Sequence, residues 1–429
     1  MSGPGYPTDP TDPVVDAAPA ASVTLRRNRN FRLLWTGQVL SDLGTQFGAL
    51  AYPLLILALT HSPVIAGVVG TVTALCAFVV RLPAGALADR LDRRRTMIVC
   101  DGVRTLVLGA LALAVLEHAV TWPVVLLVAT LDRVGDTIFS PSSTAALPSI
   151  VDDAQLEGAW AATEARQYGA SLAGPALGGV LYGFGRAIPF VGDTISYGVS
   201  VATSAAMKGS FRPAPSDVAR KGLWREAFDG VAHMWRVPLL RAVVIQAPLI
   251  NFAFNGVIFT VILAMRRNGR SADLIGLTEA LIMVGGLLGA IAASKLQGRL
   301  TLTRLVTLLT VGGTVLIAVA ALVVPSPLVA LPLAVPFFLA PTANAALMAA
   351  MLRATPEGLR GRVTNSLLQA ATAMAALSPL AAGLLVAHVA GHWAMAGFAA
   401  ALGVSAILSF TLKGLREAER APASDTATT

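Results

Sequence analysis

A helix that crosses a membrane needs about 20 consecutive, mostly apolar residues, and this 429-residue chain carries twelve such runs. They lie near 31–59, 64–88, 97–117, 122–146, 158–184 and 187–207, and then near 239–265, 271–296, 302–323, 328–352, 363–389 and 391–413. Inside hydrocarbon every backbone N–H and C=O must be satisfied within its own segment, so runs of this length read as helices. Composition leaves lipid as the solvent. Only 13% of residues are charged, where a globular chain carries about 25%, and the mean hydropathy is +0.69. The expected fold class is all-α integral membrane, with twelve transmembrane helices.

The two sets of six runs echo one another. FSPSSTAAL at 139–147 aligns with LAPTANAAL at 339–347, GALADR at 85–90 with GAIAAS at 289–294, and GPALGGVL at 174–181 with SPLAAGLL at 378–385. Three matches at nearly one offset, in corresponding runs, predict two six-helix halves related by a parallel repeat. Such repeats place a substrate site near the midplane, between halves that rock about it. The expected organisation is a disordered tail over 1–30, a first bundle over 31–207, a linker over 208–238, a second bundle over 239–413 and a tail over 414–429. In the linker, Trp224, Phe228, Val231 and Trp235 follow helical spacing, which predicts an amphipathic helix, either lying on the membrane surface or packed under the bundle.

A net charge of +8 does not point to nucleic acid here, because the basic residues form short clusters between apolar runs. Such clusters mark cytosolic loops. With the N-terminus inside, 24 of the 32 Lys and Arg fall in cytosolic segments and four (Arg186, Arg266, Arg267 and Arg270) fall outside. Both termini are therefore expected in the cytosol. The loop RRNGR at 266–270 departs from the bias. Arg outnumbers Lys 28 to 4, a composition of high-GC bacterial genomes, so the bacterial cytoplasmic membrane is the expected location. Cys76 and Cys100 form neither a disulfide framework nor a metal site, and no cofactor motif appears where its structural context could exist.

The loop after the second run reads Gly85-Ala-Leu-Ala-Asp89-Arg90-Leu-Asp92-Arg93-Arg94-Arg95. Gly85 permits close approach of another helix, and Asp89 can accept from a helix N-terminus or from Arg93 one turn later. This loop resembles the signature of the major facilitator superfamily, with Asp92 where glycine is commonest. The fifth run carries Gly174-Pro175-Ala-Leu-Gly178-Gly179, where proline kinks and glycines pack; it resembles the antiporter motif of drug exporters in that superfamily, with Ala170 replacing a usual glycine one turn earlier. FRLLWTGQVLSDLG at 31–44, ALPSIV at 146–151, DTISYGVS at 193–200 and LRGRV at 359–363 narrow the resemblance to the twelve-helix branch related to macrolide-efflux and siderophore-export proteins. The resemblance implies a cytosolic gate made of Gly85, Asp89, Arg90, Arg93 and Arg94, with Asp136 as an acid that completes the charge cluster beside Arg93.

Charge inside a membrane is costly and marks candidate sites. Asp42 lies about eleven residues into the first helix and Arg133 about eleven into the fourth, so each sits roughly 16 Å deep, near the midplane. They are expected to pair, with Asp42 carrying the driving proton and Glu279 as the next candidate. Asp101, Arg104, Glu164 and Arg166 are placed within two turns of the cytosolic ends, as gate or anchor residues. Gln46, Asn251, Asn255 and Asn344, with Asp42, Arg133 and Glu279, are the expected polar lining of the substrate cavity. No catalytic constellation and no ATP site is evident, so an ion gradient is the expected motive force. The function this implies is proton-coupled export of small hydrophobic or amphipathic molecules such as antibiotics or siderophores, by a carrier whose default state is a monomer in the bilayer. An importer or facilitator on the same fold, or a non-transporting membrane scaffold, is the alternative.

Overall fold

The protein is described by a computed structural model over residues 25–209, 211–212, 234–356 and 359–411. The first half contains α1 (Arg29–Thr60), α2 (Pro63–Ala88), α3 (Arg93–Leu116), α4 (Trp122–Ala146), α5 (Leu156–Phe184) and α6 (Ile188–Ala206). The second contains α7 (Pro238–Arg267), α8 (Ala272–Gln297), α9 (Leu302–Val323, with a π turn at Leu308–Gly312), α10 (Ala330–Arg353), α11 (Arg360–Ala373 and Ser378–His388) and α12 (Gly391–Thr411). No strand occurs among the described residues. The amphipathic linker expectation at Trp224, Phe228 and Val231 lies outside the described residues; Trp235 is exposed.

Twelve crossings bring the start of α1 and the end of α12 to one face, the terminus face; the opposite one is the far face. Local chemistry sets the ends. Ser62 caps α2, accepting from Ile65 N, with Pro63 as the first helical residue. Proline suits that position because its missing N–H would be unsatisfied anyway. Asp92, the departure from the commonest signature loop, caps α3: its Oδ1 accepts from Arg95 N at 3.0 Å. The basic far-face loop is explained in the same way. Arg267 donates to the carbonyl oxygens of Val386 and Ala387, where the end of α11 favours positive charge.

Within the first half, α1 packs on α5 and α6, α3 on α4 and α6, and α2 on α4. In the second half α8 packs on α10, and α12 on α7 and α9. The halves meet along two seams, α5 with α8 and α2 with α11. Both seams are glycine crossings. A Cβ at Gly276 of α8 would strike Pro175 O and lie 3.1 Å from Gly179 Cα; a Cβ at Gly67 of α2 would strike Pro379 O and lie 3.2 Å from Gly383 Cα. Pro175 and Gly179 align with Pro379 and Gly383 in the sequence repeat, so one Pro-x-x-x-Gly element closes each seam. Each of the four glycines lies four or five residues from the far-face end of its helix, about 6–8 Å deep. Small residues are what allow such backbone contact in lipid, where no hydrophobic effect drives helices together.

Nearer the middle, the seam continues through Thr71 Oγ1, which accepts from Leu380 N at 3.0 Å, and Gln369 Nε2, which donates to Phe78 O at 2.7 Å. Towards the terminus face, a Cβ at Gly85 would meet nothing within 4 Å. The halves are thus joined at the far face. Gly276→Leu is expected to hold that seam apart and lower transport more than about tenfold, an effect of about 1.4 kcal/mol or more, at normal expression. Gly183→Leu, with nothing within 4 Å of its Cβ, is the control expected to transport normally. Equal transport by the two variants in vesicle assays would contradict the seam.

Candidate functional site

Below the two crossings lies a central cavity of about 560 Å³, lined by both halves. The first half contributes Gln46, Tyr52, Asp132 and Arg133, and the second Asn255, Phe259, Glu279 and Met283. A largely apolar cavity with few polar groups suits ligands held loosely by their greasy surface. Glu279 is 6% exposed. Its carboxyl has no hydrogen bond or ion pair among the described residues. It sits one turn from Gly276, hence one turn below the α5–α8 crossing. Asn251 and Asn344 do not line this cavity. Asn251 lies one turn from Asn255 towards the terminus face and returns its amide to Ala247 O at 2.9 Å, while Asn344 is exposed.

The expected Asp42–Arg133 pair does not form. Asp42 pairs with Arg166 of α5, which also donates to Gln38 O. Gln38, Asp42 and Gln46 follow i, i+4 spacing and so share one face of α1. That face looks at α5, where a Cβ at Gly174 would strike the Gln46 side chain and one at Gly178 would lie 3.1 Å from Phe47 Cα. Asp42 and Arg166 line a smaller cavity of about 150 Å³ within the first half, shared with Gln38, Ser41, Ser143 and Asp136. Arg133 instead bonds Asp136 one turn along α4 at 3.2 Å, half-exposed.

The largest concentration of buried charge surrounds Arg104, itself 1% exposed. Its Nε donates to Asp132 Oδ1 at 2.8 Å and its Nη1 to Asp101 Oδ1 at 3.3 Å, with Asp136 Oδ1 at 3.9 Å. Its Nη2 donates to Thr45 Oγ1 at 3.1 Å and to Tyr197 Oη. Tyr52 Oη completes the ring, donating to Asp132 Oδ2 at 3.2 Å. The placement of Asp101 and Arg104 near the terminus face is corrected here. Because α3 begins at Arg93, Arg104 lies eleven residues in, about 16 Å deep. Sequence reasoning did not find Tyr52, Thr45 or Tyr197; the i, i+3 spacing of Asp101 and Arg104 and the i, i+4 spacing of Asp193 and Tyr197 were the available signals.

The loop after α2 divides its work. The Asp89 backbone N–H closes α2 on Gly85 O at 3.2 Å, and Arg90 is exposed beside it. Arg93 N donates to Phe211 O at 3.3 Å, and Arg94 holds the end of α6 through the carbonyls of Ser204 and Ala205. Asp136 is a partner of Arg133 and Arg104, not of Arg93, because Arg93 lies at the first residue of α3 and Asp136 faces the middle of that helix.

Two halves joined at one face over a shared cavity are the architecture of a carrier, and a family model described as transmembrane secretion effector matches residues 20–427. The chain belongs to this family, within the major facilitator superfamily. It is therefore a multi-pass membrane transporter and not an enzyme. The multidrug efflux pump Tap of Mycolicibacterium fortuitum is 25% identical over 395 residues, covering 88% of this chain and 94% of that protein. Its namesake in Mycobacterium tuberculosis strain H37Rv is 24% identical over 408 residues, covering 92% and 96%. Among solved structures, a bacterial homologue of the human lysosomal transporter Spinster, inward-facing and unoccupied, superposes with a TM-score of 0.72 at 15% identity over 94% of this chain and all of that one. An inward-facing bacterial homologue of the iron transporter ferroportin gives 0.72 at 14% identity, over 90% and 98%.

Family membership does not say which charges are structural, but stability can. Removing one partner of a buried charge group costs on the order of 3–5 kcal/mol. Arg104→Gln strands Asp132 and Asp101 and should lower the detergent-solubilised melting temperature far more than Arg133→Gln, whose side chain is 48% exposed. Similar melting temperatures for the two variants would contradict the central position given to Arg104.

Proposed function

We propose that this chain is a proton-coupled exporter of amphipathic, cationic small molecules in the bacterial cytoplasmic membrane, working as a monomer with both termini in the cytosol. The reading is supported by relatives named as multidrug efflux pumps and by the excess of basic residues on the terminus face, the bias expected of a cytosolic face. The observation that carries it is Glu279, a lone carboxyl in the wall of the cavity, one turn from the seam that must open for release.

With the far-face glycine seams closed, the cavity receives its ligand from the cytosolic side. A buried carboxylate without a partner is strongly disfavoured, so Glu279 holds either a proton or a ligand cation. Aromatic and thioether groups at Tyr52, Phe259 and Met283 supply the apolar contact, and aromatic faces also attract cations. Exchange of cation for proton keeps the site neutral but replaces a compact carboxyl group by a carboxylate paired with a bulky cation beside Gly276, and so biases the equilibrium between seam-closed and seam-open states, as any ligand does that binds two states unequally. Asp42, held by Arg166 outside this cavity, orients α1 and α5, and the loop of Gly85, Asp89 and Arg93 closes the cytosolic face when the far face opens.

The test uses everted membrane vesicles and ethidium as a lipophilic cation. Glu279→Gln is expected to bring gradient-driven ethidium uptake down at least about tenfold, a loss of about 1.4 kcal/mol or more, while the protein stays folded and inserted. Asp42→Asn is expected to retain more transport than Glu279→Gln. Full gradient-driven transport by Glu279→Gln would contradict the assignment.

A further inference from the structure

Among the described residues, four arginines lie on the far face, against the charge bias of the chain. Arg267 is tied to the end of α11. Arg186, Arg266 and Arg270 have no acid: none of them forms an ion pair among the described residues. Arg186 lies in the turn between α5 and α6, in the first half, and Arg266 in the last turn of α7, in the second. Arg266 donates to Arg270 O at 3.3 Å, a bond that leaves its charge unmatched. Asp273, the acid of the neighbouring first turn of α8, is taken up by Ser271 and by the amides of its own turn.

Tyr182 relates the two arginines to the seam. It is one turn past Gly179 on the same side of α5, and Gly179 is where α5 crosses Ala272 and Gly276 of α8. Its side chain is buried, with 5% exposure, and its Oη has no hydrogen-bond partner. The charged groups near that hydroxyl are Arg186 and Arg266. The outer mouth of the α5–α8 seam therefore gathers one guanidinium from each half and an unpartnered hydroxyl. Guanidinium groups donate and never accept, and they keep their charge at every ordinary pH. Three donors without an acceptor among the described residues make a set that fits an oxyanion.

We infer that Arg186, Arg266 and Tyr182 form an anion site at the far face, that it takes a phosphate group, and that the bound phosphate staples the two halves together across the α5–α8 seam. Guanidinium and phosphate match in a bidentate geometry, and a phosphate group has oxygens enough to serve two guanidinium groups and a hydroxyl, where a carboxylate has two. The phosphate is either free inorganic phosphate or the headgroup of a lipid in the far-face leaflet, since Arg186 is exposed at the helix ends. Because each half supplies one arginine, the complete site exists only with the seam closed. A ligand that binds one state more tightly shifts the population towards it, so phosphate opposes opening of the far face. Nothing in this staple depends on a proton, and it stands apart from the coupling assigned to Glu279.

The test uses the full chain in dodecyl maltoside, a detergent without phosphate. Inorganic phosphate, compared with chloride at equal ionic strength, or phosphatidylglycerol added to the micelles is expected to raise the melting temperature by about 2 °C or more. A rise with inorganic phosphate assigns the free ion, and a rise with phosphatidylglycerol alone assigns the headgroup. Arg186→Gln and Arg266→Gln are each expected to abolish the rise, and Arg299→Gln, at an exposed arginine just past α8 on the terminus face, to keep it. No rise with either source, or a rise that survives the loss of either seam arginine, overturns the inference. In proteoliposomes with the effective phosphate source present, Arg186→Gln is expected to export ethidium faster than the wild-type protein; equal or slower export overturns the staple. Absence of ethidium export from both proteins would count against the proposed function, with the melting temperatures still deciding the anion site.

Discussion

The contact on which the architecture depends is backbone against backbone at two glycine crossings, Gly179 with Gly276 and Gly67 with Gly383. Apolar surface cannot join the halves, because lipid tails solvate leucine as well as another helix does. Close van der Waals packing can, and only glycine permits it at these positions. The crossings sit in the outermost two turns of the far face, so the halves are pinned there and the cavity lies beneath. Because Pro175 and Gly179 repeat as Pro379 and Gly383, the two seams are alike, and a rocking motion can open both together. The motif on α5 therefore acts through geometry: Gly174 and Gly178 seat α5 against α1, and Gly179 seats it against the other half.

The halves share a fold but not a chemistry. The first half holds nearly all the buried charge: the Arg104 cluster and the Asp42–Arg166 pair. The one charged residue that the second contributes to the cavity wall, among the described residues, is Glu279. A charge network with several alternative partners tolerates a change of protonation by rearranging hydrogen bonds, whereas a solitary carboxyl tolerates it only by exchanging one cation for another.

Helix positions were legible in the sequence to within a few residues, because the length and apolarity of a span are one-dimensional quantities. The parallel repeat and the glycine-proline motifs were legible for the same reason. Angular position was not. Asp42 and Arg133 are both about eleven residues deep, so depth alone paired them, yet Asp42 shares a face of α1 with Gln38 and Gln46 and turns to α5 and Arg166. Arg104 was misplaced by a boundary: the Arg93–Arg95 run looked like loop, but Asp92 caps the helix there, and four further residues move Arg104 to the middle of α3. Tyr52, Thr45 and Tyr197 carry no charge, so only the packing of α1, α3, α4 and α6 reveals Thr45 and Tyr197 as acceptors from one guanidinium and Tyr52 as a donor to its counter-ion Asp132.

The central claim is that two halves rock about the central cavity, parting these crossings at the far face as the terminus face closes. Spin labels across the halves measure this directly, one pair on the terminus face (Leu91→Cys with Lys295→Cys) and one on the far face (Glu117→Cys with Arg270→Cys). On addition of saturating ethidium, the terminus-face distance is predicted to shorten while the far-face distance lengthens. Distances that stay fixed, or that change in the same direction at both faces, would contradict the account.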